Sequence, residues 1–506
     1  MEGLAPPFRE KAAAEVLSGN RLRKIRLSAT EATMAYAPPE DLLVELQTLL
    51  GPRGFTRAPE DLDPWLTDWR GRWHGRASAL LSPGSAAEVQ AIVSRCAASR
   101  VPLVPQGGNT SMVGGATPPS DGSALLLSLR RMNRIRSVSP EDNALVAEAG
   151  VVLSAVHDAA AAAGRRFPLS LGAKGSATIG GLVSTNAGGT QVLRFGPMRA
   201  LVLGVEAVLA DGMLFEGLTA LRKDNRGYDL RQLLVGAEGT LGIVTAASLR
   251  LVPATGSRAV AWIGLPSPRA ALELLRRLES RMGEAVESFE LVPAEALRLV
   301  LSHIPGTRPP LAEAHSWHVL VEAVALPGGQ DAAAALTRAL SLEEGAIGDA
   351  VVAASEAQAE ALWRLRDTIS EAERQEGSSL KHDVSVPVSA MPRFIEEAAA
   401  AVERRFPGAR VLAFGHLGDG NVHFNVRAPQ AADAGRWVEE AGPAVTPFVH
   451  DLVGAAGGSI SAEHGIGQMK REELERTGGD ARLAALRAIK RALDPLGIMN
   501  PGKLLR

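Results

Sequence analysis

Val104-Pro105-Gln106-Gly107-Gly108-Asn109-Thr110-Ser111 turns the chain on two consecutive glycines directly after a short strand-like run, Val101 to Pro105. Such a turn lets successive backbone N–H groups converge on an anion, and Asn109, Thr110 and Ser111 add neutral donors. It is neither the G-x-G-x-x-G nor the Walker A pattern, which argues against NAD or ATP. Two further glycine-rich stretches follow. One is Leu171-Gly172-Ala173-Lys174-Gly175-Ser176-Ala177-Thr178-Ile179-Gly180-Gly181, running on to Thr185-Asn186-Ala187-Gly188-Gly189; the other is Gly236-Ala237-Glu238-Gly239-Thr240-Leu241-Gly242-Ile243. Singly, each reads equally well as a tight turn in a chain with 52 glycines. Together, in one region, they describe a cradle for a large ligand that contains phosphate.

A second constellation lies downstream. Val411 to Asn425 reads VLAFGHLGDGNVHFN, in which His416 and His423 flank a Gly-Asp-Gly turn between strand-like runs. On one continuous strand the two histidines, seven apart, would face opposite sides, but the turn bends the chain and removes that objection. Ser461 to Gly467 then brings Glu463 and His464. If the two clusters meet, they supply two imidazoles, a carboxylate and a third histidine, which suits one divalent metal plus one general base. Taken alone, each of these residues has a plainer reading. A lone histidine beside a strand is usually a hydrogen-bonded core residue, and Asp419 shapes its turn. Arg366, on a helical pattern, and Lys381 would be solvated charges.

Length and composition set the frame. At 506 residues, length alone suggests roughly three domains, and the apolar share of 46% and charged share of 22% are ordinary for a globular protein. A net charge of -2 argues against an electrostatic grip on nucleic acid or anionic membrane. No apolar run is long enough to span a bilayer. The first residues lack an apolar h-region, and the basic stretch Arg21 to Arg26 is surrounded by Glu10, Glu15 and Glu31, a weak transit peptide at most. Cys96, the only cysteine, excludes an intrachain disulfide and any Cys-rich zinc or iron–sulfur site, and its helical setting reads as a buried, inert thiol. The cytoplasm is the default location.

Patterning predicts helices at Ser85 to Ser99, Val152 to Ala163, Arg269 to Met282, Asp331 to Leu342, Glu356 to Arg374, Pro392 to Arg405 and Ala481 to Leu493. Strands are expected near Ala124 to Leu129, Ala144 to Ala149, Leu201 to Ala210, Ile243 to Val252, Ala259 to Gly264, Trp317 to Ala325, Val411 to Gly415 and Val422 to Val426. Pro253 to Arg258 is a boundary rich in turn formers. Beyond it, the alternation implies a sheet with helices on one face. Trp65, Trp69 and Trp73 read as a packing cluster.

In this order the motifs resemble those of the FAD-dependent 2-hydroxy-acid dehydrogenases with the vanillyl-alcohol-oxidase (PCMH) type of fold. PQGGNTS is similar to their pyrophosphate loop, GAKGSATIGG, TNAGG and GAEGTLGIVT to their later flavin segments, and DPLGIMNPGK to their C-terminal tail. The resemblance covers about residues 65 to 506. It implies an α+β protein: a two-part FAD-binding domain, an α/β cap domain, and a C-terminal segment returning to the FAD domain. The expected limits are an N-terminal extension over 1–60, the FAD-binding domain over 61–255, the cap over 256–460 and the closing segment over 461–506. FAD would be held by Pro105, Gln106, Gly107, Gly108, Asn109, Thr110, Ser111, Gly172, Ser176, Thr178, Gly181, Thr185, Asn186, Gly188, Glu238, Gly239, Ile243 and Asn500. Asn109 stands where relatives with covalent flavin carry histidine, so non-covalent FAD is expected.

Arg222 to Leu230 and, above all, Lys381-His382-Asp383-Val384-Ser385-Val386-Pro387 resemble the members that oxidise D-2-hydroxyglutarate. Members acting on glycolate and D-lactate share the histidine motifs but generally lack the lysine. By matching position, the resemblance assigns the substrate's carboxylates to Arg366, Ser370 and Lys381, with help from Asn425. It assigns a divalent metal, zinc first, to His416, His423 and Glu463, and the catalytic base to His464, which also touches substrate. Ser370 stands in place of threonine and keeps the hydroxyl; His382 stands in place of tyrosine and leaves the exact substrate open. Two cations suit a dicarboxylate and would be costly in an apolar cleft with no anion to face. The electron acceptor is left open between an electron-transfer flavoprotein, a quinone and oxygen, and a homodimer is implied. The rival readings are a D-lactate or glycolate dehydrogenase, alone or as a subunit of an iron–sulfur-containing complex, a metal-dependent hydrolase, and a flavin-binding protein without catalysis.

Overall fold

Ser85 starts the first long helix of the FAD-binding half by accepting the Glu88 N–H at 3.2 Å, while the Glu88 carboxylate reaches back to the Gly84 N–H at 2.7 Å. The helix Ala86–Ser99 then buries Val89, Ile92, Val93 and Cys96, the spacing of one helical face, and ends with Arg100 in the left-handed conformation. Burial pushes the Cys96 thiol up to about 12, so it is inert. The structure, a computed structural model, describes residues 37–505 apart from 344 and 431. The basic stretch Arg21 to Arg26 and the extension expected over 1–60, as far as residue 36, lie outside the described residues. From residue 37 onward the segment is no appendage. The helix Glu40–Leu50 buries Leu42, Leu43, Leu46 and Leu50 in the same core as Val89 and Ile92.

Two sheets build this half. The first runs in the order Phe55–Thr56, Leu80–Leu81, Leu125–Ser128, Leu103–Gln106, with the last two strands parallel. The chain's end returns to its edge: the Leu103 N–H donates to Ile498 O and the Asn500 N–H to Leu103 O, both at 2.8 Å. The second sheet is antiparallel, in the order Ile135–Ser139, Ala144–Glu148, Gly242–Arg250, Val202–Leu209, Leu214–Gly217.

The cap is one seven-stranded antiparallel sheet. Its order is Asp349–Val352, Ser257–Leu265, Trp317–Ala325, Val286–Pro293, Arg410–His416, Asn421–Arg427, Ser379–Ser385. The expectation of helices on one face is corrected: both faces are covered. Ala261, Ile263, Val321 and Phe424 pack under Pro268–Met282, Ala332–Ser341, Met391–Arg405 and Ala434–Ala455. The alternate positions Val260, Trp262, Leu320, Leu412 and Phe414 pack under Ala294–His303, Glu356–Asp367 and Ile369–Gln375. Alternating side chains are apolar on both sides, so each face needs its own layer. The single helix expected over Glu356 to Arg374 breaks at Thr368, which closes one helix and opens the next.

Two buried imidazoles make the fold acid-sensitive. Desolvation, aided by His315, lowers His318 to about 4; desolvation, aided by His450, lowers His382 to about 3. Both are neutral in the folded chain and protonate near 6.5 once unfolded. Their stabilisation is therefore complete above pH 6.5 and is lost as pH falls from there toward 4 for His318 and 3 for His382. Each costs roughly 2 kcal/mol of stability by pH 5. The expected result is a lower urea midpoint at pH 5 than at pH 7.5, with a shallower pH dependence in His318→Gln.

Candidate active site

The three glycine-rich stretches close on one another because they lack side chains where backbones meet. A Cβ on Gly107 would lie 2.4 Å from Thr178 Oγ1, one on Gly108 1.9 Å from Ser176 O, and one on Gly239 2.5 Å from Pro105 Cγ. The first loop thus lies directly against the second and the third. Between them is a cavity of about 610 Å³, within the range of cofactor sites. Its lining includes every residue assigned to FAD except Asn186 and Asn500. Those two stand behind the wall in the left-handed conformation. Asn186 accepts the Arg199 N–H at 2.8 Å, and Asn500 donates to Gly115 O and Glu238 O at 3.0 and 2.6 Å. The Glu238 carboxylate points away and takes the N–H groups of Ile466 and Gly467, both at 2.7 Å, which ties the C-terminal segment to the cradle. Among the described residues the buried Thr178 Oγ1 and Gln106 Oε1 have no hydrogen-bond partner, as expected where a polar ligand completes the set. Trp69 is not core packing: it is 67% exposed and lines this cavity.

At one end the cavity is lined by Glu463 and His464, and there the cap sheet supplies the rest. The hairpin pairs His416 with Asn421 and Phe414 with His423, so both histidines point to one face, diagonal neighbours with rings 5.4 Å apart. Ligand atoms of His416, His423 and Glu463 all lie within 4.8 Å of one another. His416 Nδ1 is 2.7 Å from Glu290 Oε1, and Nε2 is 3.4 Å from Glu463 Oε1. Burial disfavours charge on His416, yet these two carboxylates overcome it and hold its pKa well above 6.5. A site that draws a proton onto His416 in this way is one where a cation fits.

Asp383 organises the rest. Its Oδ2 accepts the N–H groups of Glu463 and His464 at 2.9 and 3.1 Å and stands 3.3 Å from His464 Nδ1, while Oδ1 takes Asn421 Nδ2 at 2.9 Å. Lys470 lies beneath, its Nζ donating to Asp383 O and Ile460 O. Burial would raise the Asp383 carboxyl, but His464, Lys470 and His423 keep it below the usual carboxylate range. It stays an anion and orients His464.

Arg366 and Lys381 are not solvated charges, because each is already paired with a buried carboxylate. Arg366 Nε donates to Glu290 Oε2 at 2.8 Å, and Lys381 Nζ to Glu373 Oε2 at 3.0 Å. The same Glu373 oxygen takes Asn425 Nδ2 at 2.8 Å. Ser370 is exposed, and among the described residues its hydroxyl makes no hydrogen bond. His382 faces away from the site: it neighbours Lys381 and Asp383 on the strand, so it projects through the other face, onto Phe424 O and Thr446.

Asp383, Glu290, Glu373 and Lys470 were not singled out from the sequence. For Asp383 the signal was available, two residues past Lys381 on the same strand face. Glu290 and Glu373 come near the site only through folding.

A flavin cradle joined to a sheet that carries histidines and carboxylates defines the class. The model described as FAD binding domain matches residues 77–217, and FAD linked oxidases, C-terminal domain, matches 255–504. The fold is shared with p-cresol methylhydroxylase with substrate bound (TM-score 0.71, 16% identity, 92% of this chain and 96% of that one). It is also shared with alkyldihydroxyacetonephosphate synthase (TM-score 0.68, 16% identity, 92% and 85%). Among curated proteins, D-2-hydroxyglutarate dehydrogenase of Xanthomonas citri pv. viticola is 39% identical over 462 residues, 91% of this chain and 96% of that protein. The mitochondrial D-2-hydroxyglutarate dehydrogenase of Bos taurus is 38% identical over 468 residues, 92% and 84%. A putative mitochondrial D-lactate dehydrogenase of Schizosaccharomyces pombe is 36% identical over 456 residues, 88% and 85%. The chain belongs to the FAD-linked oxidases, in the family that the D-2-hydroxyglutarate dehydrogenases represent. No helix among the described residues is long and apolar enough to cross a membrane.

Proposed function

We propose that the chain oxidises D-2-hydroxyglutarate to 2-oxoglutarate, with FAD as the immediate acceptor. The observation that carries this is the meeting of His464, oriented by Asp383, with the end of the cavity that the glycine-rich loops build. The relatives' names supply the substrate. FAD, held non-covalently by the loops, supplies a two-electron acceptor. A divalent ion, zinc in the first instance, suits His416, His423 and Glu463 and would supply Lewis acidity toward the hydroxyl. His464 takes the hydroxyl proton as the C2 hydrogen leaves with its electron pair, and the C2–O bond becomes a carbonyl. Asp383 fixes the imidazole for that transfer and stabilises the imidazolium. Arg366 and Lys381 orient the two carboxylates, Arg366 by its planar fork and Lys381 as a point charge. Each shares its charge with a buried glutamate, so the hold on the substrate is weaker than two free cations would give. An electron-transfer flavoprotein or a quinone carries the electrons onward.

That sharing of charge is also what favours a second reading, D-lactate, whose single carboxylate needs only one cation. An anaerobic absorbance spectrum before and after substrate separates the two. Bleaching by D-2-hydroxyglutarate and not by its L-enantiomer supports the first reading. Bleaching by D-lactate alone moves the substrate. A purified chain without flavin absorbance, even after incubation with FAD, would remove both.

A further inference from the structure

A second cleft, of about 930 Å³, opens at the seam between the FAD-binding half and the cap sheet, and it shares no lining residue with the cofactor cavity. Its chemistry is lopsided. Five arginines line it (Arg166, Arg194, Arg250, Arg281 and Arg338) against one acidic residue, Glu284.

Part of that charge is built into the floor. Arg166 clasps Glu287 with two hydrogen bonds, at 2.6 and 2.5 Å, and Arg194 adds a third at 3.0 Å. Glu287 is fully buried, so two guanidiniums share one carboxylate and a positive charge remains. Phe195 supports both, with the guanidinium carbons 5.3 and 4.8 Å from its ring centre. The opposing walls carry the free cations. Arg250 ends a strand of the FAD-binding half and Arg338 lies on the cap helix Ala332–Ser341. Among the described residues neither guanidinium has an ion-pair or hydrogen-bond partner, whereas Arg281 is engaged by Glu343. The rim is apolar: Leu326 and Leu342 are 54% and 64% exposed, and both line the cleft.

We propose that this cleft is a second binding site, for a small organic phosphate that places its phosphates among Arg166, Arg194, Arg250 and Arg338 and its apolar part against Leu326 and Leu342. Guanidinium forks match phosphate oxygens in pairs, and several converging on one concavity favour a ligand with more than one negative charge. The volume is that of a small-molecule site. The walls come from both halves of the chain, so occupancy stabilises the seam against unfolding.

The test uses the full chain loaded with FAD, so that the cofactor cradle is closed to the probes. ADP and inorganic pyrophosphate are titrated by calorimetry, with thermal unfolding in parallel. The expected result is one saturable site per chain with a Kd below about 1 mM, ADP binding more tightly than pyrophosphate, and a raised melting temperature. The double variant Arg250→Ala/Arg338→Ala loses about tenfold or more in affinity. Without probe, its flavin content and its oxidation rate match those of the unaltered chain. Among the described residues neither side chain has a partner to lose, so the variant folds. Three results overturn the proposal: no saturable binding of either probe, affinity unchanged in the double variant, or stoichiometric capture of an acidic peptide where ADP does not bind.

Discussion

Replacing His464 by glutamine lowers the rate of flavin reduction by D-2-hydroxyglutarate roughly 10²- to 10⁴-fold, with FAD retained. That is the contribution a positioned general base makes. The ring is held by Asp383, 3.3 Å from Nδ1, and the same Asp383 oxygen binds the backbone N–H of His464. Asp383→Asn should therefore slow the reaction strongly in the unaltered background and far less once His464 is gone, since the two act as a unit. Anaerobic stopped-flow measurement of bleaching reads both effects. An unchanged rate in His464→Gln would remove it from the mechanism.

Gly108→Ala gives a chain without FAD. The added Cβ would stand 1.9 Å from the Ser176 carbonyl oxygen, a contact with backbone that cannot be relieved by a rotamer change. Moving either loop opens the seam on which the cavity depends, and overpacking of this kind typically costs about 1–3 kcal/mol, here spent within the cradle itself. Flavin absorbance per chain after purification with added FAD measures the loss. Gly175→Ala is the matched control: nothing lies within 4 Å of its Cβ position, so flavin content should be unchanged. Equal flavin in both variants would mean that the glycines serve turn geometry and not the approach of backbones.

Two strands beside the candidate site are hidden from the sequence, although the hairpin of His416 and His423 is legible. Val286–Pro293 and Ser379–Ser385 carry Glu290, Lys381 and Asp383, yet neither reads as a strand. Glu287, Ser288 and Glu290 interrupt the first, and Lys381, His382 and Asp383 interrupt the second. Glu287, Ser288, Glu290, His382 and Asp383 are buried, and their partners come only with the fold: Arg166 and Arg194 for Glu287, Arg366 and His416 for Glu290. A pattern read for alternating apolar residues passes over such strands, because buried ion pairs break the alternation. Trp317–Ala325, with its long apolar run, is legible to the residue, whereas the short strands Ile135–Ser139, Leu214–Gly217 and Asp349–Val352 are not.

By itself the sequence pointed to the three glycine-rich stretches, which the fold brings together, and to His416, His423 and Glu463, whose ligand atoms it places within 4.8 Å of one another. Glycine spacing and short motifs are local, and their physical reasons, backbone approach and tight turning, need no knowledge of distant partners. The tertiary structure alone decided the charge state around Arg366 and Lys381. Glu290 lies 126 residues from His416 and 76 from Arg366, and only the pairing of their elements shows that one buried carboxylate is shared by both. It also decided the basic cleft at the seam, whose arginines are spread from Arg166 to Arg338. Electrostatic environment is a property of distances in space, and a chain read residue by residue does not contain them.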